Sequence, residues 1–422
     1  MFRLYLAAAI LVASFVSLSP AQNPLTIEKL IEQLGSKSFP ERERATKALR
    51  ERGVAALPAV RKALESKDEE VRKRAEGLIP AMEIDEALQP KRITLKVADA
   101  NLSTIYADLQ KQTGYSFSTV GKGLADKRTI DLQNTPFWEA MEKLSTADER
   151  IAISMPPING RSVRRETPPS PSPANNRGPF RIEAAWFHED RDIDLSQLAN
   201  KAAKQRDARL TLSLTVLAEP RITFLKIGAA KVEEAIDSDG KSLLEVDLPD
   251  NKPISAPNRS TFRGESLTYS DVRLQRASES AKMLKLVRGT IPVKMILIRK
   301  PYVVTNKVLQ SAGTKFVAGT DGLEITRVSN QGGNSVEVEI AVPRQQGSEE
   351  RWYDRFELED DAGNRFQSHG SGSRSDGRGY WISKYFGSPF NKKIGPPTKL
   401  ILDQWIIHEY AIPFEFKDLP LP

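Results

Sequence analysis

The chain has 422 residues, 62 lysines and arginines against 55 aspartates and glutamates for a net charge of +7, and no cysteine. The missing cysteines exclude disulfide frameworks, thiolate metal centres, thiol nucleophiles and iron–sulfur clusters, and three histidines (His188, His369, His408) are too few for a histidine-rich metal site. With 39% hydrophobic and 28% charged residues the composition is that of a globular chain, and at roughly 150 residues per domain it has room for two to four domains.

Met1-Phe-Arg3 precedes an uncharged apolar run from Leu4 to Leu18, and Ser19-Pro20-Ala21 then places small residues before a cleavage point after Ala21. This is the charged start, apolar middle and small-residue exit of a secretory signal peptide over 1–21. The run is shorter than the ~20 residues that span a bilayer, and no second run of spanning length follows. No transmembrane segment is therefore expected in the mature chain. A secreted chain without cysteine fits the bacterial periplasm or secretion from a bacterium better than a eukaryotic secretory route.

Between 24 and 84 the period is helical. Ile27, Leu30, Ile31 and Leu34 form one apolar stripe; Ala45, Ala48 and Leu49 a second; Leu57, Val60 and Leu64 a third; Val71, Ala75, Leu78 and Ile79 a fourth. Ser38 with Pro40 and Glu41 reads as a helix start, Gly53 as a turn, and Asp68 as a cap. The run SFPERERATKALRERGVAALPAVRKALESKDEEVRKRAEGLI resembles HEAT-like repeats, which implies paired helices that stack on a neighbour. Arg42, Arg44, Lys47, Arg50 and Arg52 are offset by acids, with 13 basic against 11 acidic residues over 24–83. That balance describes a solvated helix surface, and no nucleic-acid partner is expected.

Over 91–155 strand and helix patterns alternate. Ile93, Leu95 and Val97 alternate as a strand, Leu102, Ile105, Tyr106 and Leu109 mark a helix ended by Gly114, and Tyr115 and Phe117 open a second strand. Ile130 and Leu132 suggest a third strand. Asn134-Thr-Pro136 opens a helix with Phe137, Ala140, Met141 and Leu144, and Ile151 and Ile153 supply a last strand. In this β-α-β-β-α-β order, ITLKVADANLSTIYADLQKQTGYSF and RTIDLQNTPFWEAMEKL resemble the short N-terminal domain of secretins and TonB-dependent receptors. The resemblance implies an envelope protein-interaction module that does no chemistry. Neither a secretin pore nor a receptor barrel follows it, so no named partner carries over.

Residues 156–178 hold six prolines and Arg161, Arg164, Arg165 and Arg177. The composition predicts a semi-rigid spacer reaching roughly 70 Å at ~3.1 Å per residue, whose arginines could touch anionic envelope polymer. Beyond it the period is two: Leu210 to Val216, Leu244 to Leu248, Ile291 to Met295, Val336 to Ile340 and Ile412 to Phe416 each alternate. Short strands with Gly, Asp and Pro turns predict antiparallel sheets that resemble Ig-like β-sandwiches, one over 179–255 and one over 262–422, or else a single interleaved unit. VEEAIDSDGKSLLEV and FELEDDAGNRFQ read as rough copies of one strand–turn–strand unit. The fold class expected is thus multidomain: helical hairpins, a small α+β domain, then mainly antiparallel β-sandwich.

No pattern carries catalysis, so no catalytic residue, cofactor or metal ligand is assigned and the chain is read as no enzyme. His188-Glu189-Asp190 lacks a second histidine at helical spacing and reads as a surface turn, and His408 reads as structural. Asp237-Ser-Asp239-Gly240 and Asp360-Asp361-Ala-Gly363 fit hairpin turns better than calcium loops. The glycine-rich 368–379 lacks the lysine of a phosphate loop and reads as a mobile loop. Trp352, Tyr353, Tyr380, Trp381 and Tyr385 are the candidate ligand residues, an aromatic platform for sugar rings. The alternative for these positions sends Trp381 and Tyr385 into the core. The function expected is a non-enzymatic scaffold of the bacterial envelope with envelope proteins as partners. A carbohydrate- or cell-wall-binding protein is the alternative, with a hydrolase as the third option.

Overall fold

The computed structural model describes residues 25–120, 127–145, 150–158, 161–166, 173–190, 209–244, 268–278, 280–318, 321–332, 335–342, 352–375, 379–389 and 394–422. The expected signal peptide over 1–21 and the expected boundary between the two sandwich spans, 255–262, lie outside them. The chain divides into two compact units, Met1–Glu86 and Ala87–Pro422.

The first unit is helical, as its period requires: α1 (Ile27–Gln33), α2 (Phe39–Arg52), α3 (Leu57–Ala63) and α4 (Glu69–Ala87). Leu30, Leu34, Ala45, Leu49, Leu57, Val60, Ala75 and Leu78 share its core. The loops before α2 and α4 are built alike. Ser36 Oγ accepts from the Ser38 N–H and Ser66 Oγ from the Asp68 N–H, while Arg42 and Arg72 each donate back to the carbonyl of Ser36 and Ser66, at 2.8 and 2.7 Å. Asp68 caps α4 through the N–H groups of Glu70 and Val71. The basic side chains meet acids, Arg74 with Glu43 on α2 and Glu70 on its own helix, and Arg61 of α3 with Glu83 and Glu86 on α4.

The second unit opens with β1 (Arg92–Asn101), α5 (Leu102–Thr113), β2 (Ser116–Val120), β3 (Lys127–Pro136), α6 (Phe137–Leu144), β4 (Arg150–Ile158) and β5 (Arg161–Glu166). β1 pairs with β3, and β2, β4 and β5 form a second sheet. Gly114 ends α5 in the left-handed region at φ 77°, where a residue without Cβ is favoured. Ile93, Leu95, Leu102, Ile105, Leu109, Leu132, Phe137, Met141 and Leu144 form the core.

The described parts of the stretch expected as a spacer over 156–178 hold strands, and 159–160 and 167–172 lie outside the described residues. β4 runs to Ile158, β5 pairs back on it, and β6 (Ala174–Arg177) pairs with β7 (Phe180–Asp190). Pro156 and Pro157 fall in the register shift between Met155 and Ile158, where a ladder tolerates a missing N–H.

The remaining strands are β8 (Arg209–Ala218), β9 (Thr223–Ile227), β10 (Lys231–Asp237), β11 (Thr268–Gln275), β12 (Met283–Thr305), β13 (Lys315–Ala318), β14 (Asp321–Gly332), β15 (Ser335–Val342), β16 (Phe356–Glu359), β17 (Gln367–Ser375), β18 (Tyr380–Gly387) and β19 (Lys399–Pro420). Among the described residues all pairings of these strands are antiparallel, in the orders β11-β8-β7-β6, β10-β12-β19-β16 with β9 beside β12, and β13-β14-β15-β18-β17. β12 and β19 pair from Met283↔Pro420 to Thr305↔Leu400. One long ribbon therefore backs both halves, and the split into 179–255 and 262–422 does not follow the pairing. The C-terminal end of β19 lies against the start of β12, beside β10. The cause is length: β12 runs 23 residues with no turn to end it.

The two halves repeat one plan. β6-β7-β8-β11 corresponds to β13-β14-β15-β18, β10 to β16, and β12 to β19, so the order β10-β12-β19-β16 reads the same from either edge. The core of the second half joins Ile325, Val338, Ile340, Ile382 and Phe386 to Phe356, Leu358, Leu400 and Leu402 on the facing sheet. In the first half Phe180 of β7 stacks on Phe224 and on Tyr410 of β19, at 6.1 and 5.7 Å.

Candidate functional site

The aromatic platform divides between two faces. β18 is held between β15 and β17, so its side chains alternate strictly. Ile382, Lys384 and Phe386 are buried inward and Tyr380 packs on the same core. Trp381 and Tyr385 point outward, the reverse of the alternation considered from sequence. Trp352 is 1% exposed in the core, with the Arg355 guanidinium 4.2 Å from its ring, and Tyr353 is half-buried. The glycine-rich stretch that reads as a mobile loop contains β17, whose small side chains leave it exposed beside β18.

On the outer face Glu337 and Glu339 are nonetheless buried by their neighbours. Arg327 donates to Glu337 at 2.6 Å, and Arg374 donates from two nitrogens to Glu339 at 3.1 Å while lying 4.2 Å over the Trp381 ring. The bidentate Arg374 contact holds the Glu339 carboxyl below its ordinary range. Trp381 thus covers an ion pair, and Tyr385 is the aromatic of the five that is open to solvent, at 42%.

The two aspartate turns are copies at one constant offset. Asp237 N–H donates to Lys241 O and Asp360 N–H to Asn364 O; Gly240 and Gly363 donate to their own aspartate's carbonyl; Leu243 and Phe366 donate to Ala235 and Leu358. Both glycines have positive φ, 79° and 78°. Asp237 Oδ1 accepts from Asp239 and Lys241 N–H, and Asp360 accepts from Asn364 and from the Gly395 N–H. The Asn364 amide and these backbone donors draw the Asp360 carboxyl down to about 2. The carboxylates fasten turns. His188 lies on strand β7 rather than in a turn, 2.9 Å from Asp190, and His408 sits mid-ribbon beside Tyr410.

The polar centre that sequence reasoning missed is Glu219, fully buried just beyond β8. It accepts from the Lys91 N–H at 2.8 Å, the Tyr115 hydroxyl at 2.8 Å and Arg221 Nε at 3.2 Å, and Arg221 also donates to Gln89 O. Nearby, Trp138 Nε1 donates to Pro179 O at 3.0 Å, Arg181 contacts Glu142 and Glu183, and Leu217 joins the α+β core. These contacts seat the α+β domain on β6–β8. A single glutamate after an apolar strand carries no local signal of this role. Burial pushes the Glu219 and Tyr115 acids up, against the pull of Arg221.

Lys384 is a second buried ion. It donates to Phe356 O at 2.6 Å across the two sheets, and burial pulls its pKa down to about 8 from 10.5, with Asp354 and Glu357 opposing. A lysine depressed by folding burdens the fold at neutral pH, and that burden lifts as pH rises above about 8. Stability of the native chain should therefore climb between pH 8 and 10.5 relative to Lys384→Met in urea titrations, with the methionine protein as stable or more so at neutral pH. Parallel profiles would show that Lys384 is not the source.

Among the described residues no cluster of three acidic or histidine side chains is placed to hold a metal, and no helix is long and apolar enough to cross a membrane. No protein-family model, curated protein or solved structure matches the chain.

Proposed function

We propose that the chain is a non-enzymatic interaction protein of the bacterial envelope, acting outside the cytoplasm. In this reading 24–84 is a HEAT-like pair of hairpins, 91–155 a module like the secretin/TonB short N-terminal domain, and the β half two Ig-like sandwiches sharing a ribbon. The alike loops of α2 and α4 support the first, and two helices between a two- and a three-stranded sheet support the second. The observation that carries the reading is the seating of the α+β domain around Glu219: it is a fixed fixture on a β frame, and its β1–β3 strands carry exposed Arg92, Thr94, Lys96 and Gln133. A fixed module presents a binding surface at little entropic cost.

The test is a tagged full-length chain in its native cells. The expected result is recovery in the extracytoplasmic fraction, in a complex with an envelope protein that survives purification. Recovery as a lone monomer overturns it. Exposed Tyr385, on the same face as Trp381, favours a second reading, binding of cell-wall saccharide. That reading requires sedimentation with purified peptidoglycan that Tyr385→Ala abolishes, whereas the first requires none.

A further inference from the structure

We propose that the outward edge of β1 is a strand-addition site for an extended, acidic peptide segment of a partner protein. The proposal rests on the interaction reading above and names the surface that would serve it. β1 pairs with β3, and among the described residues no strand pairs along its other edge. An open edge offers unpaired N–H and C=O groups, and proteins ordinarily blunt it with proline, charge or a covering element. Among the described residues one side chain covers it at Thr94. The Thr94 N–H donates to Gln112 Oε1 at 3.0 Å, and Gln112 Nε2 donates to Thr94 O at 2.9 Å.

Those two bonds identify the chemistry of the occupant. A carboxamide that donates and accepts at once, on the N–H and C=O of one strand residue, is a peptide group in miniature; it makes the pair of bonds a neighbouring strand would make. Gln112 belongs to α5, and both residues are exposed, so the amide can swing away without opening the core. Replacing it with a peptide group conserves both bonds and adds those further along the edge. Net hydrogen-bond exchange is then near zero for the first pair and favourable for each additional one.

The side chains flanking Thr94 set the partner's charge. Arg92 and Lys96 are exposed at alternate positions of β1, and exposed Lys111 adjoins Gln112. Lys96 is only loosely held, 3.6 Å from Asp131 with its side chain 79% exposed. Alternate glutamates on an added strand would meet these cations, while backbone bonds would supply most of the affinity.

The probe is a fluorescent, end-blocked octapeptide alternating valine and glutamate, titrated into the full-length chain by anisotropy. Wild type is expected to bind. Gln112→Ala, which removes the competing amide and no core contact, is expected to bind roughly three- to tenfold more tightly, the worth of the displaced bonds. Thr94→Pro removes the N–H the incoming strand needs and, with it, the hydroxyl that accepts from the Asn134 N–H; it should weaken binding at least about tenfold, while Thr94→Ala, which loses the hydroxyl alone, should bind as wild type does. Equal binding by Thr94→Pro and wild type means charge attraction alone and overturns the proposal, as does a peptide that binds neither wild type nor Gln112→Ala. If the Thr94→Pro chain still purifies with its envelope partner, the interaction reading stands and the β1 edge falls; loss of partner from wild type itself strikes the reading instead.

Discussion

Glu219→Ala is expected to unseat the α+β domain and cost about 3–5 kcal/mol, the penalty for stripping one partner from a buried charged network. The variant leaves the Tyr115 hydroxyl, the Lys91 N–H and the Arg221 guanidinium facing the void the carboxylate filled. Hydrogen exchange should show the effect first in α6 and β3, because Trp138 and Arg181 hold the same seat. Loss of protection spread evenly over the β half would point to global instability instead. Glu219→Gln separates shape from charge. Burial raises the Glu219 acid above its ordinary 4.5, so the folded chain holds that proton more tightly than the unfolded one. The stabilisation this provides is full below the ordinary value and fades as pH rises through the folded value. Wild type should thus lose stability across that window relative to Glu219→Gln. A glutamine variant with the same pH profile would remove Glu219 as a titrating group.

Trp352→Ala should destabilise the second half by about 3–5 kcal/mol, the usual range for truncating a large buried aromatic, while Tyr385→Ala should change stability by no more than about 0.5 kcal/mol. Trp352 fills the core with Phe356, Ile382 and Phe386, and its ring meets the Arg355 guanidinium, which also lies 4.6 Å from the Trp405 ring. Arg355 therefore joins the core to the ribbon at Trp405, and removing Trp352 frees one side of that cation. Urea midpoints of the two variants measure the contrast. A Trp352→Ala protein as stable as Tyr385→Ala would place Trp352 at the surface and restore it to the ligand-facing set.

Much of the architecture was legible because local signals agreed with one another. The stripes from Ile27 to Ile79, the cap at Asp68, the stop at Gly114 and the turn at Asn134 to Pro136 each name a boundary through short-range sterics and hydrogen bonding. The aspartate turns were legible as copies because one aspartate accepting N–H groups two and four residues on leaves a sequence trace of Asp and Gly. The errors cluster where a local rule competes with pairing. Pro156 and Pro157 read as the start of a spacer, yet they sit at an irregularity of a ladder. Glycines and serines of β17 read as a loop, yet β18 supplies the bonds that make them a strand. A period of two also cannot say which of its two faces is inside, which is why the alternative that sent Trp381 and Tyr385 into the core came out reversed.

The sequence alone therefore determined the helical start, the α+β element order, the antiparallel β half and the turn chemistry, since each depends on residues within a few positions of one another. Only the tertiary structure decided that β12 and β19 form one ribbon through both halves, that Glu219 fastens the α+β domain, and that the five aromatics part between two faces. Those outcomes depend on groups far apart in the chain meeting in a dry interior. Burial there sets which face is inside, which charge needs a partner and which hydrogen bond cannot be left unmade.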